Sequence, residues 1–367
     1  MNEFPADYQS IVERIHAIDP VQYSKTRNFT NGAVTYLSPY ISRGIISVKQ
    51  VKDYVVSKGY KKYQIEKFLQ ELAWREYWQR VWQSKGNAIL TDLKYPQQEV
   101  AHHQMITNIL LANTGIESID KHIQQLYQTG YMHNHLRMYV AAICCNMGKA
   151  HWVLPSQWMY YHLLDGDIAS NSLSWQWVAG SFSSKKYYCN QENINKYTFS
   201  NQHNTFLDKT YDTLVTTGIP GELQETNELK LITNLPKNQA PDIDINKPTL
   251  IYNSYNLDPN WRKEEDANRV LLLEPSHFTQ YPVSDKVIRF IIELSKNIPG
   301  IQIFTGEFDD LEGLYTAQNK AGCFVFKEHP AFMHYNGIKD ERDWMFPSVT
   351  GYFPSFSSFW KKAERLL

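Results

Sequence analysis

Between Thr129 and Ser181 the chain reads TGYMHNHLRMYVAAICCNMGKAHWVLPSQWMYYHLLDGDIASNSLSWQWVAGS. Acids, amides and indoles are seldom gathered this closely. If the first part is a helix, Asn134, Arg137 and Met138 stand at i, i+3 and i+4, so one face carries an amide, a guanidinium and a thioether. Asp165-Gly166-Asp167 sets two carboxylates around a glycine, where a backbone can come close to a bound group. Asn171, Trp175 and Trp177 follow, with Trp152 and Trp158 upstream. Tryptophans at this density also serve as core or interface aromatics, and the Asp-Gly-Asp run also suits a capped turn.

The wording of the stretch narrows the choice. MHNxLRM, then DGDxAxN, then WQW resembles the flavin-binding helical domain of the DNA photolyase/cryptochrome family, in register without gaps from Thr114-Gly115 to Trp177. Several words at fixed separations form a more specific signal than one short motif.

Two upstream segments extend the resemblance. Residues 63–83, YQIEKFLQELAWREYWQRVWQ, predict a helix with Glu71, Trp74, Arg75 and Trp78 on one face. An amphipathic core helix accounts for Phe68, Leu72 and Val81, but charges on an apolar face need partners. ELAWREYW is similar to the family's ELxWREFY. That resemblance implies that Glu71 hydrogen-bonds damaged pyrimidines, Trp74 stacks on them, and Arg75 lies by the flavin. In the loop of residues 23–47, Ser38-Pro39 predicts a helix start, and Leu37-Ser38-Pro39-Tyr40-Ile41 matches the LSPYL that closes the family's diphosphate loop. Tyr23, Thr35 and Ser38 are therefore expected on the cofactor. Val34 and Tyr36 replace the usual threonine and arginine, which implies an altered clamp.

The resemblance implies FAD within the helical domain, folded so that adenine lies near isoalloxazine. Asn134, Arg137, Asp165 and Asp167 would hold the ring and ribityl region, and Asn171 takes the position facing flavin N5. Glu71, Trp74, Met138 and Trp177 would form the lesion pocket. Trp175 and Trp152 match the two inner members of an electron-transfer chain; Glu99 stands at the outer member's place. His135 replaces an arginine that repairing members point towards phosphate.

Composition agrees with a soluble globular chain. It has 367 residues, with 43% hydrophobic, 20% charged and a high 14% aromatic content. The start lacks a basic segment followed by an apolar run, so no signal peptide is expected. No run approaches ~18 apolar residues, so no membrane span is expected. Cys144, Cys145, Cys189 and Cys323 form no C-x-x-C, which disfavours a disulfide framework and a metal site; a reducing cytoplasm fits. The adjacent His102-His103 pair diverges on a helix and suggests no metal either. Net charge is −1, but residues 1–204 hold 20 Lys and Arg against 15 Asp and Glu, and the rest 17 against 23. A mildly basic first part suits a nucleic-acid face.

The expected organisation is α plus α/β: a helical FAD-binding domain over 1–205, a linker over 206–247, and a small parallel, Rossmann-like α/β domain over 248–367. Thr249–Tyr252, Arg269–Leu273 and IQIFTGEF read as strands, and DKVIRFIIELSKNI as a helix. No G-x-G-x-x-G follows a strand. The order of elements resembles the family's antenna domain, moved to the C-terminus; its pigment is unknown. The resulting expectation is a light-driven enzyme splitting cyclobutane pyrimidine dimers in UV-damaged DNA, with no evident protein partner. A blue-light photoreceptor without repair and a flavin-free scaffold are the alternatives, and a yellow colour on purification separates the flavin readings from the last.

Overall fold

The computed structural model describes residues 4–318 and 320–367. Two short helices, α1 (Tyr8–His16) and α2 (Pro20–Thr26), open the chain, each started by an aspartate. Asp7 accepts from the Ser10 N–H, and Asp19 from those of Val21 and Gln22, satisfying amides the first turn leaves free. α3 (Ser38–Ser42) begins where Ser38-Pro39 predicts a start. After α4 (Val48–Ser57) comes α5 (Lys62–Lys85), which closes at Gly86. Phe68, Tyr77, Trp78, Val81 and Trp82 bury several sides of α5 rather than one stripe, the mark of a helix with neighbours all round.

The helical part continues through β1 (Met105–Ile106), α6 (Thr107–Leu110), α7 (Glu117–Thr129) and α8 (Asn134–Ala142), which runs into a π turn at Ile143–Met147. α9 (Val153–His162), α10 (Ile168–Ala179) and α11 (Gln191–Thr198) follow. Residues 206–247 carry α12 (Tyr211–Thr216) and β2 (Thr226–Asn227), which pairs antiparallel with β1. Leu207, Leu214 and Leu223 are buried, so the front of this connection is docked on the helices.

The sheet comprises β3 (Thr249–Tyr252), β4 (Asn268–Leu273), β5 (Ile301–Thr305), β6 (Phe324–Lys327) and β7 (Ile338–Asp340). All pairings are parallel and the order is β5-β4-β3-β6-β7. Apolar runs such as Val270–Leu273 suit strands covered on both faces. α13 (Pro275–Gln280) and α14 (Asp285–Ser295) join β4 to β5, and α15 (Phe308–Thr316) carries the chain back across to β6. The sequence reading singled out the first three strands; β6 and β7 were not among them. After β7 a strap runs back over α5 and ends in α16 (Phe356–Ala363). Among the described residues, no helix is long and apolar enough to cross a membrane.

Two cores hold the molecule, and the first joins segments far apart in the chain. One joins α1–α5 to β3–β6 and the strap; the other joins α7–α9, α11 and α12. α10 is shared, with Ile168, Ala169 and Leu173 in the first and Trp175, Val178 and Ala179 in the second. The first core is sealed by the loop after β3. Arg43, 1% exposed, donates from Nε to the Leu164 carbonyl and from Nη1 to that of Ser254. Gly44 beside it has φ +65, and a Cβ there would sit 2.2 Å from the Tyr255 carbonyl oxygen.

Both constraints fall on one residue, so Gly44→Ala is expected to cost about 1–3 kcal/mol of stability or more. Denaturant unfolding would show a lower midpoint at unchanged slope; an unchanged midpoint would contradict the close approach of the two segments.

Candidate functional site

The shared helix α10 starts at the site. Asp167 is its N-cap: one carboxylate oxygen accepts the Ser170 N–H at 2.7 Å, and the other accepts Arg75 Nη2 at 3.1 Å and Gln79 Nε2 at 2.6 Å. The carboxylate is 4% exposed, and a charge so buried needs such partners. Arg75 and Gln79 are four apart on α5, which puts them on one face. Gln79 turns its amide oxygen to Arg342 Nη1 of the strap, at 2.6 Å.

A second ion pair repeats the arrangement. Arg137 Nη2 reaches both oxygens of Asp165, at 3.0 and 2.8 Å, while its Nε donates to the Met132 carbonyl. The two arginines keep 27% and 20% of their side chains exposed, against 4% and 5% for their aspartates. Each pair thus buries its anion and leaves guanidinium edges open to a neighbour. Asn134 and Ser38 are exposed as well. Asn171 donates from Nδ2 to the Ser156 carbonyl at 2.9 Å and lines a hollow of about 70 Å³ with Trp152, Tyr160 and Tyr281. A larger cleft of about 440 Å³ lies between α4–α5 and the sheet, bordered by Arg75, Gln79, Tyr255, His329 and Arg342.

The remaining residues singled out from the sequence are dispersed around these pairs. Tyr23 packs edge-on to Phe68 at 5.0 Å, and burial, with the Glu71 charge second, pushes its phenol up. Thr35 Oγ1 accepts the Leu37 N–H. Tyr36, at φ 54, sets its ring tilted to Tyr131 at 5.3 Å and edge-on to Phe4 at 6.4 Å, so an aromatic cluster stands where the resemblance has an arginine. Glu71 is ion-paired with Arg27 Nε at 3.2 Å and Lys67 Nζ at 3.0 Å. Trp74 is half-buried against the first core and Met138 against the second. Trp177 is 36% exposed, its ring 5.9 Å from that of Tyr187. Trp152 and Trp175 are buried together in the second core; Trp152 Nε1 donates to Asp92 at 2.7 Å. Glu99 is held by Lys186 and Lys149, which bring its carboxyl down to about 2. His135 is turned inward, its Nδ1 2.9 Å from the Asn28 carbonyl and its ring against Tyr139 and Tyr197.

Sequence reasoning missed Gln79, Glu76 and Arg342. Gln79 was discoverable, since it continues the Glu71–Arg75 face by one turn. Glu76 is 1% exposed and accepts the N–H groups of Met345 and Phe346; burial raises its carboxyl above the ordinary range. Its partners lie hundreds of residues away, and no local pattern announces them.

The partly open guanidinium groups of Arg75 and Arg137 and the exposed amide of Asn134 are groups of the kind that can meet a ring edge bearing both carbonyls and N–H. Residues 68–209 match the family model described as the FAD binding domain of DNA photolyase. The chain is 30% identical over 188 residues to a deoxyribodipyrimidine photo-lyase of Alkalihalophilus pseudofirmus, covering 47% of this chain and 39% of that one. It is 30% identical over 173 residues to a cryptochrome DASH of Danio rerio, covering 43% and 32%. Among solved structures, a Synechocystis cryptochrome aligns with TM-score 0.46 at 24% identity, over 53% of this chain and 44% of that one. A class III photolyase from Agrobacterium tumefaciens aligns with TM-score 0.40 at 26% identity, over 47% and 37%. The chain thus spans about two fifths of the length of the curated relatives it matches.

One electrostatic consequence can be measured without any ligand. His133, beside Asn134, is held down to about 4 by burial first, then by His135, His122 and Arg137; burial first, then Lys286, does the same to His162. Both are neutral in the fold at neutral pH, whereas the unfolded chain takes up these protons below about 6.5. Their stability contribution is complete above about pH 6.5 and is lost as pH falls towards 4. Denaturant unfolding at about pH 7 and about pH 4.5 is expected to show this loss, reduced in His133→Asn. An equal slope in that variant would place His133 in contact with water.

Proposed function

We propose that this chain, which resembles the photolyase/cryptochrome family through its FAD-binding domain, is a light-driven flavoenzyme that splits cyclobutane pyrimidine dimers in DNA. One observation carries the reading: the pairs Arg75–Asp167 and Arg137–Asp165 tie α5 and α8 to the segment that leads into α10, each with its anion buried and its guanidinium partly open. FAD, when bound in its reduced form and excited by light, would supply an electron that opens the dimer and returns to the flavin, leaving no net redox change. Arg137 and Arg75 would offer guanidinium N–H groups to it, Asn134 and Asn171 amides, and Tyr23, Thr35 and Ser38 the opposite wall. Asp165 and Asp167 act on the cofactor through their arginines, fixing where the cations sit.

The substrate side uses residues of both cores. Trp74 and Trp177 would bracket a pyrimidine dimer flipped from the duplex, with Met138 as an apolar wall and Glu71 as acceptor at the base edge. Flipping costs least for damaged bases, and stacking offsets it at ~1–3 kcal/mol per base. Trp175 and Trp152 would feed electrons inward, and the Asp92 carboxylate stabilises positive charge arriving on Trp152.

A photoreceptor without repair is the second reading. It is favoured by His135, which spends its ring on Asn28, Tyr139 and Tyr197 instead of facing a phosphate, and by Glu71, already bound by two cations. A blue-light assay on a dimer-containing oligonucleotide with the reduced protein separates the two. Repair is expected; its absence in flavin-loaded protein would leave the photoreceptor.

Two substitutions sharpen this. Asp165→Ala removes the acceptor that holds Arg137 and is expected to release flavin or weaken it at least tenfold, read by absorbance after gel filtration. Full yellow colour in that variant would refute the assignment. Trp74→Ala is expected to lose about 1–3 kcal/mol of lesion binding with flavin content intact, as checked by titration of labelled DNA; loss of flavin instead would make Trp74 a packing residue.

A further inference from the structure

Trp74 is not bare. The ring of Phe356, first residue of α16, lies over it at 3.9 Å between centroids and 10° between planes. That is face-to-face contact, the geometry a nucleobase adopts on an aromatic platform. The rest of the Trp74 surroundings are not parallel: Trp78 is tilted by 39° and Tyr77 meets it edge-on at 75°.

The cover is held unevenly. Phe359, Trp360 and Ala363, further along α16, are 0%, 7% and 0% exposed, so the helix body is part of the core. Its beginning is more exposed, with Ser355 as the N-cap accepting the Ser358 N–H. Ser355 and Ser357 are exposed, Phe356 is half-buried, and Gly351 upstream has φ +85 with open space around it. The strap backbone just before the ring is tied by Lys94, whose Nζ donates to the Pro354 carbonyl at 2.5 Å. Lys94 also lies 3.8 Å from the centroid of Phe182, which meets Trp78 edge-on. A phosphate arriving beside this slot would compete with the Pro354 carbonyl for Lys94 and free the residues that carry Phe356.

We propose that Phe356 is a resident occupant of the stacking face of Trp74, which an unpaired base must displace, so that the first turn of α16 sets the affinity of the base slot. The inference rests on Trp74 being the base-stacking wall proposed above. It adds that the chain's own C-terminal helix competes with nucleic acid there.

The test needs neither flavin nor light. The full chain is titrated in the dark with a single-stranded oligonucleotide carrying one 2-aminopurine, whose fluorescence is quenched on stacking. Phe356→Ala is expected to bind roughly two- to twelve-fold more tightly than the wild type, the ratio equivalent to the ~0.5–1.5 kcal/mol of an aromatic pair. Phe356→Leu is expected to fall between them. The gain should vanish when Trp74→Ala is added, as a coupled pair requires. Equal or weaker binding by a folded Phe356→Ala protein overturns the proposal, as does a gain that survives Trp74→Ala, or no binding by any variant. If Phe356→Ala unfolds, Phe356→Leu decides on the same terms. Repair measured on the same preparations keeps the two readings apart. A Phe356 effect without repair counts against the enzyme alone, and repair without a Phe356 effect against the cover alone.

Discussion

The Asp167 carboxylate is the point at which three parts of the chain meet. It caps α10, holds Arg75 and Gln79 of α5, and through Gln79 reaches Arg342 of the strap. A carboxylate this buried is costly to leave unpaired, so removing any partner strands a charge; losses of about 3–5 kcal/mol are typical when a buried pair is broken. The network therefore fixes the distance between α5 and α10 more firmly than apolar packing between them would. Whatever occupies the cleft beside Arg75 and Gln79 meets a wall whose position is set by charge.

This has a bearing on the two arginines. Arg75 and Arg137 sit in equivalent situations, each with its anion sunk into the fold and part of its guanidinium left open. A planar cation oriented this way is already arranged for a ligand, and little of its freedom remains to be lost on binding. The aspartates supply that orientation without touching the ligand.

Much of the helical site was legible because its chemistry is local. Arg137 and Met138 follow Asn134 on one helix, Asp165 and Asp167 flank one glycine, and Glu71 and Arg75 are one turn apart; spacing alone groups them. The strands β3, β4 and β5 were legible for the same reason, as short local runs rich in apolar residues. What could not be read were contacts made between distant segments. Phe356 on Trp74, Arg342 on Gln79 and the amides of Met345 and Phe346 on Glu76 each join α5 to the last thirty or so residues. His135 shows the same limit in one residue, since its position on α8 fits a solvent-facing cation and its ring packs inward. The boundary drawn near residue 205 from composition cuts across both cores, because burial groups α1–α5 with the sheet and places Leu207, Leu214 and Leu223 with α7–α9.

That grouping bears on how the chain is made. Tyr8 bonds Asn297, Lys62 bonds the carbonyl of Glu364, and Tyr77 that of Phe353. On a ribosome, α1–α5 are synthesised well before the sheet and strap they pack against. At about 5–20 residues per second, the apolar flanks of α5 wait until those segments emerge. The other core, bounded by residues 105 and 223, has all its members in hand much earlier. The molecule would thus be assembled from its middle outward, and a chain stopped short of its last helix would carry one finished half and one that has nothing to close on.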